Sequence, residues 1–243
     1  MDFLVLRFRG PMMSFGDVAV DEQRPIDRFP GVSMVTGLVA NALGWDWSET
    51  EKLQALQDRL VLAVREDLAG ERLREYQTVA LPGKGGLFVT HSIPCSRNLD
   101  KPMTVQKYLS YWANSLITCF ISLTGLGTPT LDEVACALKK PARPLFLGRK
   151  TCLPTEPVFR GEIFGAESPE EAVLRSCQLD KRPLKFVESP HSCVVEWPYD
   201  GRTVVSQSEI FERRDLKQWK NNIHGGSRLV VRRMVSADRF KRR

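Results

Sequence analysis

The sequence lacks the features that would place it in several common protein classes. Its apolar runs are short: the longest, Leu116–Leu123, is interrupted by Thr118 and Ser122, and a membrane-spanning helix needs roughly 20 apolar residues. The chain begins with an acid at Asp2 and a short apolar run, which is not typical of a secretory signal. With 42% hydrophobic and 26% charged residues, its composition is that of a globular domain. We therefore expect a cytoplasmic globular protein that makes no contact with a membrane.

Metal-ligand patterns are also missing. The six cysteines are at least 16 residues apart in the sequence, and the three histidines do not group with them. A structural zinc site needs closer ligand spacing than this. Neither a metal nor another cofactor is predicted. Cys119 and Cys136 lie in apolar segments, so we expect both to be buried, reduced thiols.

Enzyme motifs are equally scarce. The chain contains no Gly-x-Ser-x-Gly, no His-Glu-x-x-His and no phosphate-binding P-loop. His91 is the best candidate for a general base, because Tyr76 and Lys107 flank it in the sequence and metal-free RNA cleavage needs one such group. A structural or surface histidine is the more frequent case. His91, Tyr76 and Lys107 therefore form an alternative catalytic set, and the primary expectation is that there is none.

Positive charge is distributed unevenly along the chain. The 35 Lys and Arg residues against 29 Asp and Glu residues give a net charge of +6. Residues 212–243 hold eleven of the basic residues and three of the acidic ones, so this stretch carries +8 and the rest of the chain −2. A basic block on a near-neutral body is typical of a protein with a polyanionic partner, nucleic acid above all. It is equally typical of a solvated tail, and charge alone leaves both interpretations open.

Hydrophobic spacing predicts an α+β domain with an excursion from its core. Residues 82–86 (PGKGG) interrupt strand-like residues on both sides, as in a hairpin. The order strand, helix, strand, strand, helix, strand suits a ferredoxin-like fold. The predicted elements are a half-buried strand over 2–9, helices after Pro30 and after the Ser48/Glu51 capping pattern, a strand over 60–65, a helix over 104–116, a strand over Leu116–Leu123 and a helix capped by Thr130 and Glu133.

Three basic clusters are candidate contacts to nucleic acid. Residues 24–28 (RPIDR) precede the first long helix, whose free N–H groups and dipole add to the arginine charge at a bound phosphate. In residues 148–150 (GRK) the glycine allows the backbone to approach a phosphate closely. Lys107 and Tyr108 place a cation beside a ring that can stack on a base. Each cluster alone is more often a solvated face than a site.

Four segments together resemble one known family. Residues 4–16 (LVLRFRGPMMSFG) are similar to the L-x-L-R-L-x-G-P-M-Q-S-W-G start of the CasD, or "Cas five", subunits of type I-E Cascade, a CRISPR RNA-guided surveillance complex. Residues 24–30 (RPIDRFP) resemble the family's R-P-T-x-R-F-P, and residues 73–79 (LREYQTV) its L-R-D-Y-x-T-V. The most specific similarity is that of residues 145–157 (LFLGRKTCLPTEP) to Y-L-G-R-R-S-C-P-P-x-x-P. The four segments follow the family's order.

The resemblance implies both a fold and a role. The fold is a ferredoxin-like, RNA-recognition-type domain over 1–165 with a thumb hairpin at about 80–104, followed by a variable, β-rich region over 166–243 with the basic tail. The role is to hold the 5′ handle of crRNA without catalysis, in contact with the backbone and large subunits of Cascade and only indirectly with target DNA, in antiviral defence. The implied and cluster-derived RNA contacts are Arg24, Arg28 and Ser33 at the helix entrance, Tyr76, Gln77 and Thr78 at the thumb base, Lys107 and Tyr108, and Gly148, Arg149 and Lys150 in the basic loop.

Two other functions stay open. Type I-C relatives of the family cleave precursor crRNA with Tyr, Lys and His and no metal, which would make this chain an endoribonuclease. The type I-E motifs favour the binding role over that one. A nucleic-acid-binding protein outside CRISPR is the weaker possibility, because the Gly-Arg-Lys loop is shared with the family. Residues 30–34 (PGVSM) depart from the family's P-T-[KR]-S-G and lose one basic residue and one glycine.

Overall fold

The structure is a computed structural model that describes residues 1–16, 23–81, 103–175, 192–201 and 207–236. Helices and strands follow one another in a mixed α/β order. They are β1 (Asp2–Arg9), β2 (Met12–Met13), β3 (Gln23–Arg24), α1 (Val32–Leu43), α2 (Thr50–Arg59), β4 (Leu60–Leu68), β5 (Glu71–Leu81), β6 (Met103–Ala113), β7 (Leu116–Leu123), α3 (Leu131–Lys139), β8 (Phe159–Gly165), α4 (Pro169–Arg175), β9 (Ser192–Pro198), β10 (Ser208–Arg213), β11 (Lys217–Gln218), β12 (Ile223–His224) and β13 (Arg228–Ser236).

A seven-stranded antiparallel sheet forms the centre of the molecule. Its strand order is β10-β13-β9-β4-β7-β1-β8. Helix α1 lies between β1 and β4 in the chain, and α3 lies between β7 and β8. Both helices pack their apolar residues against one face of the sheet, whereas α4 packs against the other. The combination of helices with a large antiparallel sheet that the α+β prediction implies is therefore confirmed, whereas its ferredoxin-like topology stays a prediction.

Strand β1 is buried on both faces. Leu4 and Leu6 belong to the core beneath α1 and α3. Phe3 and Val5 belong to a second core on the other face, to which α4 and strands β9 and β13 contribute side chains. Side chains alternate between the faces of a strand, so each set points to a different core. The expectation of a half-buried strand is wrong, because the C-terminal strands and α4 complete a second apolar layer.

A long hairpin leaves the main sheet between β4 and β7. Strands β5 and β6 pair through eleven consecutive residue pairs, from Glu71 opposite Ala113 to Leu81 opposite Met103. The short strands β2 and β3 pair with β6 on its other side. The helix expected over residues 104–116 is wrong: this stretch is strand, because its cross-strand partners, aromatic and β-branched residues among them, satisfy the backbone as a ladder. The predicted thumb at about 80–104 lies almost entirely outside the described residues.

Two local predictions have opposite outcomes. The Thr130/Glu133 capping box of α3 is confirmed, since each side chain accepts a hydrogen bond from the other residue's backbone N–H. Helix α2 begins one residue after Glu49 and has no side-chain cap, because Ser48 instead donates to Asp46.

The two cysteine predictions also have different outcomes. Cys119 is a buried, free thiol whose pKa burial raises well above its usual value. Cys136 is exposed on α3, so the expectation that it is buried is wrong, because it lies on the outer face of that amphipathic helix. Within the described ranges, no helix is both long enough and apolar enough to cross a membrane.

The C-terminal region continues the same sheet. Strand β9 pairs with β4 through Val64 and Arg65, and β13 and β10 follow outward from it. The predicted division at residue 165 stays a prediction. Strand β9, which follows that position in the chain, is the hydrogen-bonded neighbour of β4, which precedes it.

Candidate nucleic-acid interface

A cleft of about 580 Å³ lies where four separate parts of the chain meet. The loop after β1, the start of α1, the basic loop at residues 148–149 and the C-terminal segment, defined here as residues 214–224, each supply part of its surface. Pockets of this size commonly hold small ligands. The cleft is lined by Ser14, Gly16, Pro25, Gly31, Ser33, Met34, Gly148, Arg149, Arg214, Asp215, Lys217, Trp219 and His224.

Gly148 fixes the basic loop against the loop after β1. Its φ is +103°, and a Cβ at this position would lie 1.8 Å from the carbonyl oxygen of Ser14. The backbone N–H of Ser14 in turn donates to the carbonyl of Leu147 at 3.0 Å. A side chain would force the two loops apart, so glycine is required by the chain's own packing. This close approach places the following residue, Arg149, at the cleft.

Arg149 joins the cleft to the long hairpin. Its Nη1 donates to the carbonyl oxygen of Ser110 at 2.9 Å, and its guanidinium carbon lies 4.8 Å from the ring centre of Tyr111. This bond uses one of the five N–H donors of the guanidinium. Lys150 follows as an exposed residue. The loop therefore presents positive charge beside strand β6.

The start of helix α1 is capped by the protein itself. The backbone N–H of Val32 donates to Oδ2 of Asp215 at 3.1 Å, and that of Ser33 donates to the carbonyl oxygen of Asp215 at 3.0 Å. A Cβ on Gly31 would lie 2.7 Å from the Cβ of Asp215, so the contact is tight. The phosphate site predicted at the start of α1 relied on free backbone N–H groups. The carboxylate of Asp215 lies where that phosphate was expected to bind.

The two arginines before α1 have different surroundings. Arg28 forms a bidentate ion pair with Glu66, at 2.6 and 2.5 Å, and this contact raises the pKa of Arg28 above its usual value. Arg28 is thus committed to holding the helix entrance against β4. Arg24 is described by its backbone alone, which pairs with Leu109 of β6. Roles of both in RNA binding stay predictions.

The base of the hairpin carries an aromatic pair. Tyr76 and Tyr108 are directly opposite each other in the ladder, with ring centres 5.2 Å apart and an angle of 41° between the ring planes. The guanidinium of Arg74 lies 4.2 Å from the centre of the Tyr108 ring. The Tyr76 side chain is 52% exposed. An exposed ring next to a stacked cation is a surface on which a nucleobase can stack.

Two other predicted residues, Lys107 and Gln77, lie on the opposite face of the same hairpin, whereas Thr78 lies on the same face as Tyr76. Lys107 pairs with Gln77, one position along from the tyrosine pair, so its side chain points away from that of Tyr76. Gln77 donates to Glu75, and Thr78 is exposed. The structure therefore does not bring Tyr76 and Lys107 together, and His91 lies outside the described residues.

Part of the tail's positive charge is neutralised inside the protein. Arg213 is buried; burial lowers its pKa, but the negative charges of Glu196, Asp27 and Asp215 outweigh that and raise its pKa above the usual value. Three arginines of the basic block pair with three acids in this way, which the sequence did not indicate. The pairs are Arg213 with Glu196 and Asp27, Arg228 with Asp215, and Arg232 with Glu196.

Five residues of the C-terminal segment line the cleft, and no sequence motif had singled them out as individual RNA contacts. They are Arg214, Asp215, Lys217, Trp219 and His224. Burial lowers the pKa of Lys217, and burial together with the Lys217 charge lowers the pKa of His224. The excess of basic residues after position 212 indicated that this stretch could bind a polyanion. The spacing of these residues did not show which part of the protein they would face. Among the residues that the structure describes, no three His, Cys, Asp or Glu side chains form a metal-binding group.

The family model described as "CRISPR-associated protein (Cas_Cas5)" matches residues 3–231, most of the chain. The chain belongs to this family. The resemblance of the four sequence segments is thereby confirmed at the level of the family. The "CRISPR system Cascade subunit CasD" of Escherichia coli (strain K12) is 32% identical over 176 residues, which are 71% of this chain and 75% of that relative.

Two solved structures share the fold of this Cas five family member. A chain of a "CRISPR RNA-guided surveillance complex" superposes with a TM-score of 0.61 at 23% identity, covering 96% of this chain and 89% of the other. A structure described as "Crystal structure of Cas protein" gives a TM-score of 0.60 at 21% identity, covering 99% and 98%. At these identities the two likenesses establish the fold alone.

Proposed function

We propose that the chain is a non-catalytic subunit of Cascade that binds the 5′ handle of crRNA through the cleft and the base of the β5/β6 hairpin. Its family membership and the Cascade subunit among its relatives support a place in such a complex. The RNA chain runs from the cleft, past Arg149, to the tyrosine pair on the hairpin. Binding relies on phosphate contacts in the cleft and on base stacking at the hairpin.

One observation carries this proposal. Ser33 lies far in the sequence from the adjacent residues Gly148 and Arg149. All three nevertheless line one cleft, together with basic residues of the C-terminal segment. Arg149 also contacts β6 at Ser110 and Tyr111, two and three residues after Tyr108. The cleft therefore adjoins strand β6 close to Tyr108. Tyr111 and Tyr108 point to opposite faces of that strand, so the RNA crosses the base of the hairpin to reach the exposed Tyr76 ring.

The topology supports a ferredoxin-like core. In the main sheet, β4, β7, β1 and β8 are neighbours in that order and all antiparallel, and the two connecting helices pack on one face. Numbered by themselves, these strands lie in the order second, third, first, fourth, which is the arrangement of a split βαβ domain. The long β5/β6 hairpin inserted between the second and third strands occupies the place of the thumb.

The remaining parts of the proposal concern partners and location. We expect contacts with the backbone and large subunits of Cascade, an indirect contact with target DNA, and a cytoplasmic complex. The antiviral role follows from membership of a CRISPR family.

The nuclease alternative has weaker support. Its catalytic set needs Tyr76 and Lys107 beside a histidine, but these two side chains leave opposite faces of the hairpin. General acid–base chemistry needs both groups within hydrogen-bond reach of one scissile bond.

The test is binding of the purified chain to a single-stranded RNA with the sequence of a CRISPR repeat, followed by fluorescence anisotropy across KCl concentrations. We expect tight binding, with a steep dependence on salt. The Arg149→Ala/Lys150→Ala variant should lower the slope of log K against log salt by ~0.7 per lost contact. An unchanged slope would remove this loop from the site.

The same mixture tests for cleavage. We expect the RNA to stay intact for hours with and without EDTA. Specific cuts that disappear in His91→Ala would establish the endoribonuclease instead.

A further inference from the structure

The C-terminal segment forms one side of the cleft. Arg214, Lys217 and His224 line it from this segment, and Arg149 and Ser33 line it from the core domain. These residues lie far apart in the sequence, so the cleft exists only because the segment folds back over α1. A single polypeptide therefore surrounds the cleft with cations from two directions.

The segment is held in this position by Gln57 of α2. Its side chain donates to the carbonyl oxygen of Lys217 at 2.9 Å and accepts from the backbone N–H of Lys217 at 3.1 Å. The same Oε1 accepts from Nε1 of Trp219 at 3.1 Å. Gln57 is only 4% exposed, and buried polar side chains such as this amide are nearly always hydrogen-bonded in folded proteins. Three hydrogen bonds from one side chain fix the start of the β11/β12 hairpin.

Trp219 adds an apolar anchor and orients the lysine. Its ring reaches α1 at Gly37, where an added Cβ would lie 3.8 Å from the ring. The ammonium of Lys217 lies 4.5 Å from the centre of the Trp219 ring. A cation over an indole face is favourably placed, so the lysine charge is held beside the cleft rather than extended into solvent.

The charges of the cleft do not cancel. Asp215 is its acidic residue, and its carboxylate is already bound by Arg228 at 2.9 to 3.1 Å and by the N-terminus of α1. Within the described ranges, neither Arg214 nor Lys217 has a carboxylate within ion-pair distance. Their positive charges are therefore available to an anionic ligand.

We infer that the C-terminal segment is the second phosphate-binding wall of the RNA cleft, in which Arg214 and Lys217 contact backbone phosphates from the side facing Arg149 and Gln57 positions them. This inference rests on the proposed function. In this inference, part of the basic block binds the same ligand as Arg149, which is the backbone of a single-stranded RNA. Contacts of this kind add affinity and salt dependence without reading sequence.

The first experiment measures RNA affinity against salt for Arg214→Gln/Lys217→Met in the full chain, with the repeat RNA as probe. Methionine keeps the apolar contact with Trp219 while removing the charge. We expect the slope of log K against log salt to fall by ~1.4 for two lost single-strand contacts. Lys220→Met is the matched control, because Lys220 is exposed on the same segment but does not line the cleft; its slope should equal that of the wild type.

The outcomes separate the two proposals. If Arg149→Ala lowers the slope and Arg214→Gln/Lys217→Met does not, the cleft binds RNA and the inference about the segment is wrong. If the wild-type chain shows no salt-dependent binding at all, the proposed function itself fails. If Lys220→Met lowers the slope as much as the double variant, the segment acts through diffuse charge and the inference is again overturned.

The positioning role of Gln57 is tested by comparing the effect of Gln57→Leu in the presence and in the absence of the two cations. Gln57→Leu in the wild-type background should weaken RNA binding and lower the salt slope, although it removes no charge. In the Arg214→Gln/Lys217→Met background at pH ~8, where His224 is neutral, the same change should lower the salt slope no further, because neither of the two cations that Gln57 positions remains. An equal loss in both backgrounds would mean that Gln57 supports the fold only. Urea unfolding of each variant checks that the chain remains folded.

Discussion

The carboxylate of Asp215 caps helix α1 by accepting a hydrogen bond from the backbone N–H of Val32 at 3.1 Å. The two residues are 183 positions apart in the chain. A residue of the basic C-terminal block thus completes α1, the first long helix of the chain. The contact joins the C-terminal region to the start of α1, and it sets one edge of the cleft.

Asp215→Ala is expected to destabilise the protein by about 2–4 kcal/mol. The change removes a helix cap and leaves Arg228 without its carboxylate partner. Urea unfolding followed by circular dichroism measures the difference. Asp132→Ala is the control, because Asp132 is an exposed acid in the first turn of α3 and should cost less than about 1 kcal/mol. Equal losses would mean that Asp215 acts only as another first-turn acid.

Gly148→Ala is expected to cost about 2–4 kcal/mol and to weaken RNA binding. Its positive φ disfavours a side chain, and the added Cβ would meet the Ser14 carbonyl. Gly125→Ala separates the two causes: Gly125 also has a positive φ, of +67°, but an added Cβ meets nothing within 4 Å. It should cost about 1 kcal/mol, the backbone contribution alone. Thermal unfolding and anisotropy measure the two effects, and a harmless Gly148→Ala would contradict the loop packing.

Tyr76→Ala is expected to weaken RNA binding by roughly 5- to 150-fold, which corresponds to ~1–3 kcal/mol for one stacked base. Tyr76→Phe should bind almost normally, because stacking needs the ring and not the hydroxyl. Leu73→Ala is the matched control: Leu73 is exposed on the opposite face of the same strand. Anisotropy with the repeat RNA gives the affinities. If Leu73→Ala weakens binding as much as Tyr76→Ala, no specific stacking face exists on this hairpin.

RNA binding is expected to strengthen as pH falls from about 7.5 towards 5.5. In the free protein, burial and then the charge of Lys217 hold the pKa of His224 below its usual value. A bound phosphate favours the charged imidazole and raises this pKa, so binding takes up a proton near and below pH ~6.5. His224→Gln should flatten that part of the pH profile while His91 and His191 remain in both proteins. An identical profile in His224→Gln would place His224 away from the phosphates.

The same pKa shift has an opposite consequence for the free protein. Because the folded pKa of His224 lies below the unfolded one, the unfolded chain binds more protons in this range. Stability is therefore full above pH ~6.5 and decreases as the pH falls through that value. RNA binding and folding should thus show opposite pH trends in the same variant series.

Local patterns predicted much of the core. The 3.6-residue spacing after Pro30 and the Thr130/Glu133 pair predicted α1 and the start of α3, because these signals lie within one turn of the residues that they fix. Residues 104–116 were misassigned as a helix. Their strand state depends on eleven pairings with β5, which no local pattern contains.

The candidate site was predictable only in part. Gly148 and Arg149 were identified from a short basic motif, and the structure places both at the cleft. The partners of Arg28 and Arg213 were not predictable, since Glu66 and Glu196 are brought to them by the sheet and not by the sequence. The sequence showed the total charge of the C-terminal block. It did not show that Arg213, Arg228 and Arg232 are neutralised internally while Arg214 and Lys217 face the cleft.

Photo-crosslinking of bound RNA identifies the residues along which the RNA lies. The purified chain is irradiated with repeat RNA that carries 4-thiouridine, and the crosslinked peptides are identified by mass spectrometry. We predict crosslinks at the hairpin base around Tyr108, in the loop at residues 148–150 and in the C-terminal segment at residues 214–224. Crosslinks confined to the outer sheet edge at β10, around Ile210, would mean that the RNA binds neither the cleft nor the hairpin base.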